Sequence, residues 1–157
     1  MSGEVYLTRA GYQRLYSEFE ALKVDRVKIS RAIEEARLQG DISENAEYDA
    51  AKDAQAHNAA RISDMEGKLA RVRIIEDEDI PFDKVYIGAI VTVKDLEKKQ
   101  EMKYMLVSPE EAVYEENKLS IFSPVGKGLM GLAVDEEAEI HVPAGVLKYK
   151  VLKIERP

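Results

Sequence analysis

The apolar residues of the first half recur at alternating steps of three and four, and no proline interrupts them before Pro81. Tyr12, Phe19, Arg26 and Ile33 form one seven-residue series, and Leu15, Leu22, Ile29 and Ala36 form a second. The pattern returns further on, with Tyr48, Gln55, Ile62 and Leu69 set against Ala51, Asn58, Met65 and Val72. This spacing is the a/d seam of a coiled coil, because it keeps one stripe of each helix turned toward a partner. Two such stretches in one chain predict a helical hairpin. Each arm has ~30 residues and extends about 45 Å. The seam is small near the break between the arms (Ala36, Ala50, Ala51) and bulky away from it (Phe19, Leu22, Ile62, Met65, Leu69). The hairpin is therefore expected to be slim at its tip and broad at its base.

Three seam positions are polar. If the chain reverses near residue 41, position i faces about 83 − i, which sets Arg26 beside Gln55 and Asn58, and Phe19 beside Ile62 and Met65. A buried arginine needs such partners. Polar residues gathered at one level would also fix the register, at some cost in stability. The plainer reading is an antiparallel coiled coil used as a spacer.

The break between the arms is Gly40-Asp41-Ile42-Ser43-Glu44-Asn45-Ala46-Glu47-Tyr48. Gly40 suits the residue just past a helix end, where positive φ is common. Asp41 and Ser43 are both good N-cap residues for the second helix. Asp41, Glu44 and Glu47 follow at helical spacing, so their carboxylates can point to one side of a helix start. On spacing alone two readings stand. Asp-x-x-Glu resembles a capping box, and acidic residues favour a helix N-terminus. Alternatively, two exposed carboxylates that hold no metal tightly by themselves could complete a Mg²⁺ site on another macromolecule.

After Val85 the period becomes strand-like. Strands are expected at 89–93, 102–107, 118–122, 138–142 and 147–154, with a helical turn opened by Ser108-Pro109. A short helix is expected to begin with Ser123 as cap and Pro124 at its first position, and to end near Gly131. The acidic run before Ile80-Pro81 reads as a linker. The fold class is α+β: an N-terminal antiparallel coiled-coil hairpin over 1–78 with an acidic tip at 40–48, a linker at 79–84, and a small antiparallel-sheet domain over 85–157. The second half carries no catalytic triad, phosphate loop or metal cage.

The chain has no cysteine, which excludes disulfides and thiolate metal sites. Its two histidines, His57 and His141, are isolated and receive no role. There is no apolar leader and no apolar run of membrane-span length, so a cytoplasmic protein with no membrane contact is expected. The net charge of −7 argues against a generally basic nucleic-acid surface.

The run from Glu35 through the tip to Lys52 closely resembles the tip of bacterial GreA-type transcript cleavage factors, the Gre family. So do Ser123-Pro124-Val125-Gly126-Lys127-Gly128-Leu129-Met130-Gly131 and the opening Leu7-Thr8-x-x-Gly11, and the resemblance spans essentially the whole chain. It implies an FKBP-like second domain that docks on RNA polymerase at the rim of its secondary channel. It implies a hairpin that enters the channel, where Asp41 and Glu44 help hold a weakly bound Mg²⁺ and orient the attacking water. The metal is held jointly with the polymerase and is not expected in the free protein. The polymerase would then cut backtracked RNA near its 3′ end, so this chain is not itself an enzyme. RNA polymerase, the RNA 3′ segment and the DNA template of the elongation complex are the implied partners, and the factor is expected to be a monomer.

Arg37 and Lys52 flank the tip and could meet the RNA; alternatively they are solvated helix charges in local pairs. Ser123, Pro124, Gly126 and Gly131 match the family motif and could shape the docking surface; alternatively they only start and stop a short helix. Tyr48 sits on the seam, where packing is its simplest role. The runner-up function is a secondary-channel inhibitor of the same polymerase, which would lack the Asp-x-x-Glu-Asn-Ala pattern. A prolyl isomerase would need an aromatic-lined pocket, and this half has few aromatic residues and no tryptophan. A bare coiled-coil scaffold would leave the acidic tip unexplained.

Overall fold

The structure, a computed structural model, describes residues 3–40 and 45–157. Two compact units are present. One is built from Tyr12–Val72; the other joins Glu4–Gly11 to Arg73–Pro157. The fold class is the α+β arrangement expected from the periodicity.

The first unit is the hairpin. Helix α1 spans Arg9–Leu38 and helix α2 spans Ala46–Ala70. Phe19, Leu22 and Ile62 are buried in one cluster, with Met65 and Leu69 packed against it. That cluster is the bulky end of the seam, and it aligns the arms as an antiparallel pair. Ala36 is buried further along α1, and Ile29, Ile33, Tyr48, Ala51 and Gln55 are half-buried. Asn58 is buried and donates from Nδ2 to the Leu22 carbonyl at 3.0 Å. Leu22 thus lies opposite Asn58, within about three residues of the 83 − i register.

One seam expectation fails. Arg26 is exposed and does not lie buried among Gln55 and Asn58. A guanidinium on a long stem reaches water from the edge of a seam, which avoids the cost of desolvating it. Asn58 finds its partner in backbone instead.

The second unit begins with β1 (Val5–Leu7), which pairs with β2 (Val72–Ile74) as a two-stranded ribbon. The main sheet contains β3 (Ile90–Asp95), β4 (Gln100–Val107), β5 (Lys118–Ser120), β6 (Glu137–Val142) and β7 (Gly145–Glu155), in the order β5-β4-β3-β7-β6. Only β4 with β5 is parallel; the other pairs are antiparallel. Period-two alternation explains the core. Val91, Val93 and Asp95 of β3 are buried, while the residues between them are half-exposed. Val91 and Val93 join Val85, Leu106, Leu129, Tyr149 and Val151 in one cluster. Each fully buried Val or Leu contributes roughly 1.5–3 kcal/mol.

Asp95 is buried but satisfied, because Oδ1 accepts from the Glu97 and Lys98 amides at 2.9 and 3.0 Å and so shapes its own turn. Helix α3 (Pro124–Leu129) packs on β6. The segment around Ile80 is tied to the end of the chain. The Arg156 guanidinium donates to the carbonyls of Ile80, Glu78 and Ile75.

Candidate functional site at the hairpin tip

Helix α1 closes with the Gln39 amide on the Ala36 carbonyl at 3.3 Å, and Gly40 follows at φ +127°. That is the left-handed region expected of a glycine past a helix end. Asp41, Ile42, Ser43 and Glu44 lie outside the described residues. Description resumes at Asn45, which organises the tip. Its Oδ1 accepts from the Glu47 and Tyr48 amides at 3.0 and 3.2 Å, and its Nδ2 donates to the Ala36 carbonyl at 2.6 Å. Asn45 is therefore the N-cap of α2 and also ties α2 to α1 across the turn.

The cap of α2 is a residue the sequence reading did not single out, Asn45. An N-cap accepts from amides two and three residues ahead, and Asn45 stands at that distance from Glu47 and Tyr48; the candidates Asp41 and Ser43 lie outside the described residues. The sequence does carry the signal. Asparagine ranks with the best caps, and Asn45 directly precedes the first turn that delivers Tyr48 to the seam. Asp41 and Ser43 carry a cap signal of equal strength, which hides it.

The cations beside the tip are both exposed. Arg37 pairs with Glu34 at 3.9 Å, and the Lys52 ammonium donates to the Gln55 side chain at 3.0 Å. Exposed contacts of this kind are worth about 0–1 kcal/mol, so a stronger anionic partner would displace them readily. Leu38, the last residue of α1, is 79% exposed, which leaves an apolar side chain standing in solvent beside the tip. Among the described residues no group of three or more histidine or acidic side chains is placed to hold a metal ion. No described helix is long and apolar enough to cross a membrane.

The second motif lies in the sheet unit. Ser123 caps α3, accepting from the Gly126 amide at 3.1 Å while its hydroxyl donates to the Ser120 carbonyl at 2.6 Å. Pro124 occupies the first helical position, where a missing N–H costs nothing. Gly126 permits a close approach, since a Cβ there would stand 2.0 Å from the Ser120 carbonyl oxygen. Gly131 follows the helix at φ +84°, its amide on the Val85 carbonyl at 2.8 Å. These residues do start and stop a short helix, as one of their two readings required. The same turn leaves Phe122 63% exposed beside Ser123.

Comparison with known families identifies the class of protein to which this helical hairpin and five-stranded sheet belong. Residues 5–74 match the family described as "Transcription elongation factor, N-terminal". Residues 80–156 match "Transcription elongation factor, GreA/GreB, C-term". The chain belongs to the GreA/GreB family of transcription elongation factors. It is similar to the transcription elongation factor GreA of Chloroherpeton thalassium, with 47% identity over 98% of each chain. The GreA of Caldanaerobacter subterraneus is 44% identical over 99% of this chain and 100% of that one. Among solved structures, GreA factor homolog 1 of Thermus thermophilus aligns with a TM-score of 0.45 at 29% identity, over 97% and 99% of the two chains.

Proposed function

We propose that this chain binds RNA polymerase through its sheet domain, inserts the hairpin into the secondary channel, and stimulates the polymerase's own cleavage of backtracked RNA 3′ ends. The observation that carries the reading is the cap of α2. Asn45 satisfies the amides of Glu47 and Tyr48, so the helix makes no use of Asp41 as its cap. With the cap supplied by Asn45, that cap does not depend on Asp41, which supports a role for the carboxylates of Asp41 and Glu44 toward a partner. Their donor chemistry fits Mg²⁺, which takes hard oxygen ligands and is often held by one or two carboxylates with waters and phosphate oxygens. When bound, such an ion lowers the pKa of its water and neutralises developing charge in phosphodiester hydrolysis.

In this reading Asp41 and Glu44 supply carboxylate oxygens and orient the attacking water, while the polymerase and the RNA supply the remaining ligands. Arg37 and Lys52 lie near the RNA 3′ segment, and the DNA template remains within the polymerase. Ser123, Pro124, Gly126 and Gly131 shape the docking surface. The protein is not an enzyme by itself, acts as a monomer, and works in the cytoplasm.

The test is cleavage of labelled RNA in stalled, backtracked elongation complexes by wild type and by Asp41→Asn/Glu44→Gln. These isosteric changes keep the size of both side chains and remove both charges. Rapid 3′ cleavage by wild type, lost in the double variant while polymerase binding persists, is the expected result. Equal activity of the two proteins would return the tip to a structural role. Slowed elongation with no cleavage by either would identify a channel-blocking inhibitor.

A further inference from the structure

The segment after β2 helps to form a groove that lies wholly within the sheet unit. Ile80 and Pro81 line it together with Tyr6, Tyr86, Ile87 and Met130. Two carboxylates, Glu78 and Asp79, share the lining. Its volume is about 370 Å³, near the lower end of sites that hold a ligand. The segment is held in place from behind. The Arg156 guanidinium donates to the carbonyls of Ile75, Glu78 and Ile80, and the Glu78 amide closes on the Ile75 carbonyl at 3.1 Å. The Tyr6 hydroxyl donates to Glu4 Oε2 at 3.0 Å, which fixes its ring as well. A surface ordered in advance binds without the cost of ordering itself.

Charge selects the occupant. Most of the acidic run Glu76-Asp77-Glu78-Asp79 is committed within the chain. Glu76 accepts from the Arg9 amide at 3.0 and 3.1 Å, Asp77 pairs with the Arg9 guanidinium at 2.6 Å, and Glu78 pairs with Arg73 at 3.1 Å. Asp79 is exposed, and its side chain has no ion-pair or hydrogen-bond partner among the described residues. An uncommitted carboxylate beside aliphatic and tyrosine side chains suits a cation on an apolar stem. Lysine and arginine lay such a stem on apolar surface, and aromatic faces attract their charged heads. Phe82, next to Pro81, is 61% exposed and adds apolar surface for a neighbouring residue. Met130 ends α3 and so joins the groove to the segment 123–131.

From this we infer that the groove is a second docking point for RNA polymerase: it receives a polymerase segment that carries a lysine or arginine beside an apolar residue, and Asp79 pairs with the cation. The inference rests on the function proposed above and extends the docking surface beyond Ser123, Pro124, Gly126 and Gly131.

The first test is affinity of the full chain for purified RNA polymerase across a range of salt concentrations. Asp79→Asn removes the charge, Asp79→Lys reverses it, and Glu139→Lys makes the same reversal at an exposed position outside the groove. All three positions are exposed, so the fold should survive, and unchanged urea midpoints check that. Asp79→Asn should bind about threefold more weakly with a shallower salt dependence, and Asp79→Lys on the order of tenfold more weakly. Glu139→Lys should bind as wild type does. The second test places a photoreactive benzophenone amino acid at position 82 and irradiates the complex with purified polymerase. The crosslinked polymerase peptide should contain a lysine or arginine next to an apolar residue, and Asp79→Lys should reduce its yield.

Asp79 variants that bind as tightly as wild type overturn the groove proposal while leaving docking through the sheet domain in place. Equal weakening by Glu139→Lys overturns it too, since net charge alone would then explain the loss. So does a crosslink to a segment without a cation, a crosslink between two copies of this chain, or no crosslink. If the wild type itself fails to bind polymerase, the proposed function falls and the groove proposal falls with it.

Discussion

Asn45→Ala should loosen the start of α2 by an amount the geometry lets one apportion. The side chain makes two kinds of contact. As N-cap it meets the amides of Glu47 and Tyr48, and losing a cap of this type costs about 1 kcal/mol. As a donor it meets the Ala36 carbonyl at 2.6 Å, and a hydrogen bond of this kind contributes about 1 kcal/mol net. The alanine variant should thus lose about 2 kcal/mol of local stability, which is roughly a thirtyfold shift in the local opening equilibrium. Asn45→Ser separates the two parts. Serine still caps, but it has no amide to reach Ala36, so about 1 kcal/mol, or roughly fivefold, should be lost. Native-state hydrogen exchange at the Glu47 and Tyr48 amides reads the effect directly, with Ile62 in the buried cluster as the unaffected control. Protection should be highest in wild type, lower in Asn45→Ser and lowest in Asn45→Ala. Equal protection in wild type and Asn45→Ala would refute the capping argument. Asn45→Ser behaving like Asn45→Ala would refute the division between cap and cross-turn bond.

Gly126→Ala should lower the urea midpoint at unchanged m-value, since its Cβ meets the Ser120 carbonyl at 2.0 Å and overpacking against backbone costs roughly 1–3 kcal/mol. An unchanged midpoint would mean that β5 and α3 can part without loss. Tyr149 gives a pH prediction. Burial, and then its neighbour Tyr104, push the phenol up from 10.0 to about 12, so the folded state resists ionising it. Its stabilising contribution is complete below pH 10 and is lost as the pH rises through about 12, because the unfolded chain releases the proton first. Urea midpoints measured across that window should fall in wild type and fall less steeply in Tyr149→Phe; identical slopes would count against the shift.

The hairpin was legible because a seam is a local, periodic signal. Phe19, Leu22, Ile62, Met65 and Leu69 meet as their spacing requires. The strands were legible for the same reason, with Val91 and Val93 marking one face of β3. What sequence could not supply was the choice among similar groups. Asp41, Ser43 and Asn45 are all good caps, and only backbone geometry selects Asn45. Arg26 holds a seam position by count, yet its reach lets it leave the seam. Glu111 was invisible for a different reason. Its partner Thr8 lies 103 residues away, and no local pattern marks a carboxylate that will be buried against a distant helix start.

The two asparagines, at the cap and in the middle of α2, explain how so slender a tip keeps its register. The apolar cluster at the base aligns the arms, but alanines near the tip offer little shape to resist a slip. Asn45 and Asn58 each donate to an α1 carbonyl, those of Ala36 and Leu22. They are thirteen residues apart in the chain, while their acceptors are fourteen apart on α1, close to two heptads on each arm. Backbone carbonyls are chemically alike, so neither bond alone specifies a register. Together with the cluster they do, because a one-residue slip would rotate both amides off the seam at once, and leaving the buried Asn58 amide unpaired costs about 1–3 kcal/mol. Polar residues placed this way give up some stability in the middle of the hairpin and return a defined position at its end. On the function proposed above, a defined register serves the presentation of the Asp41 and Glu44 carboxylates better than a more apolar seam would.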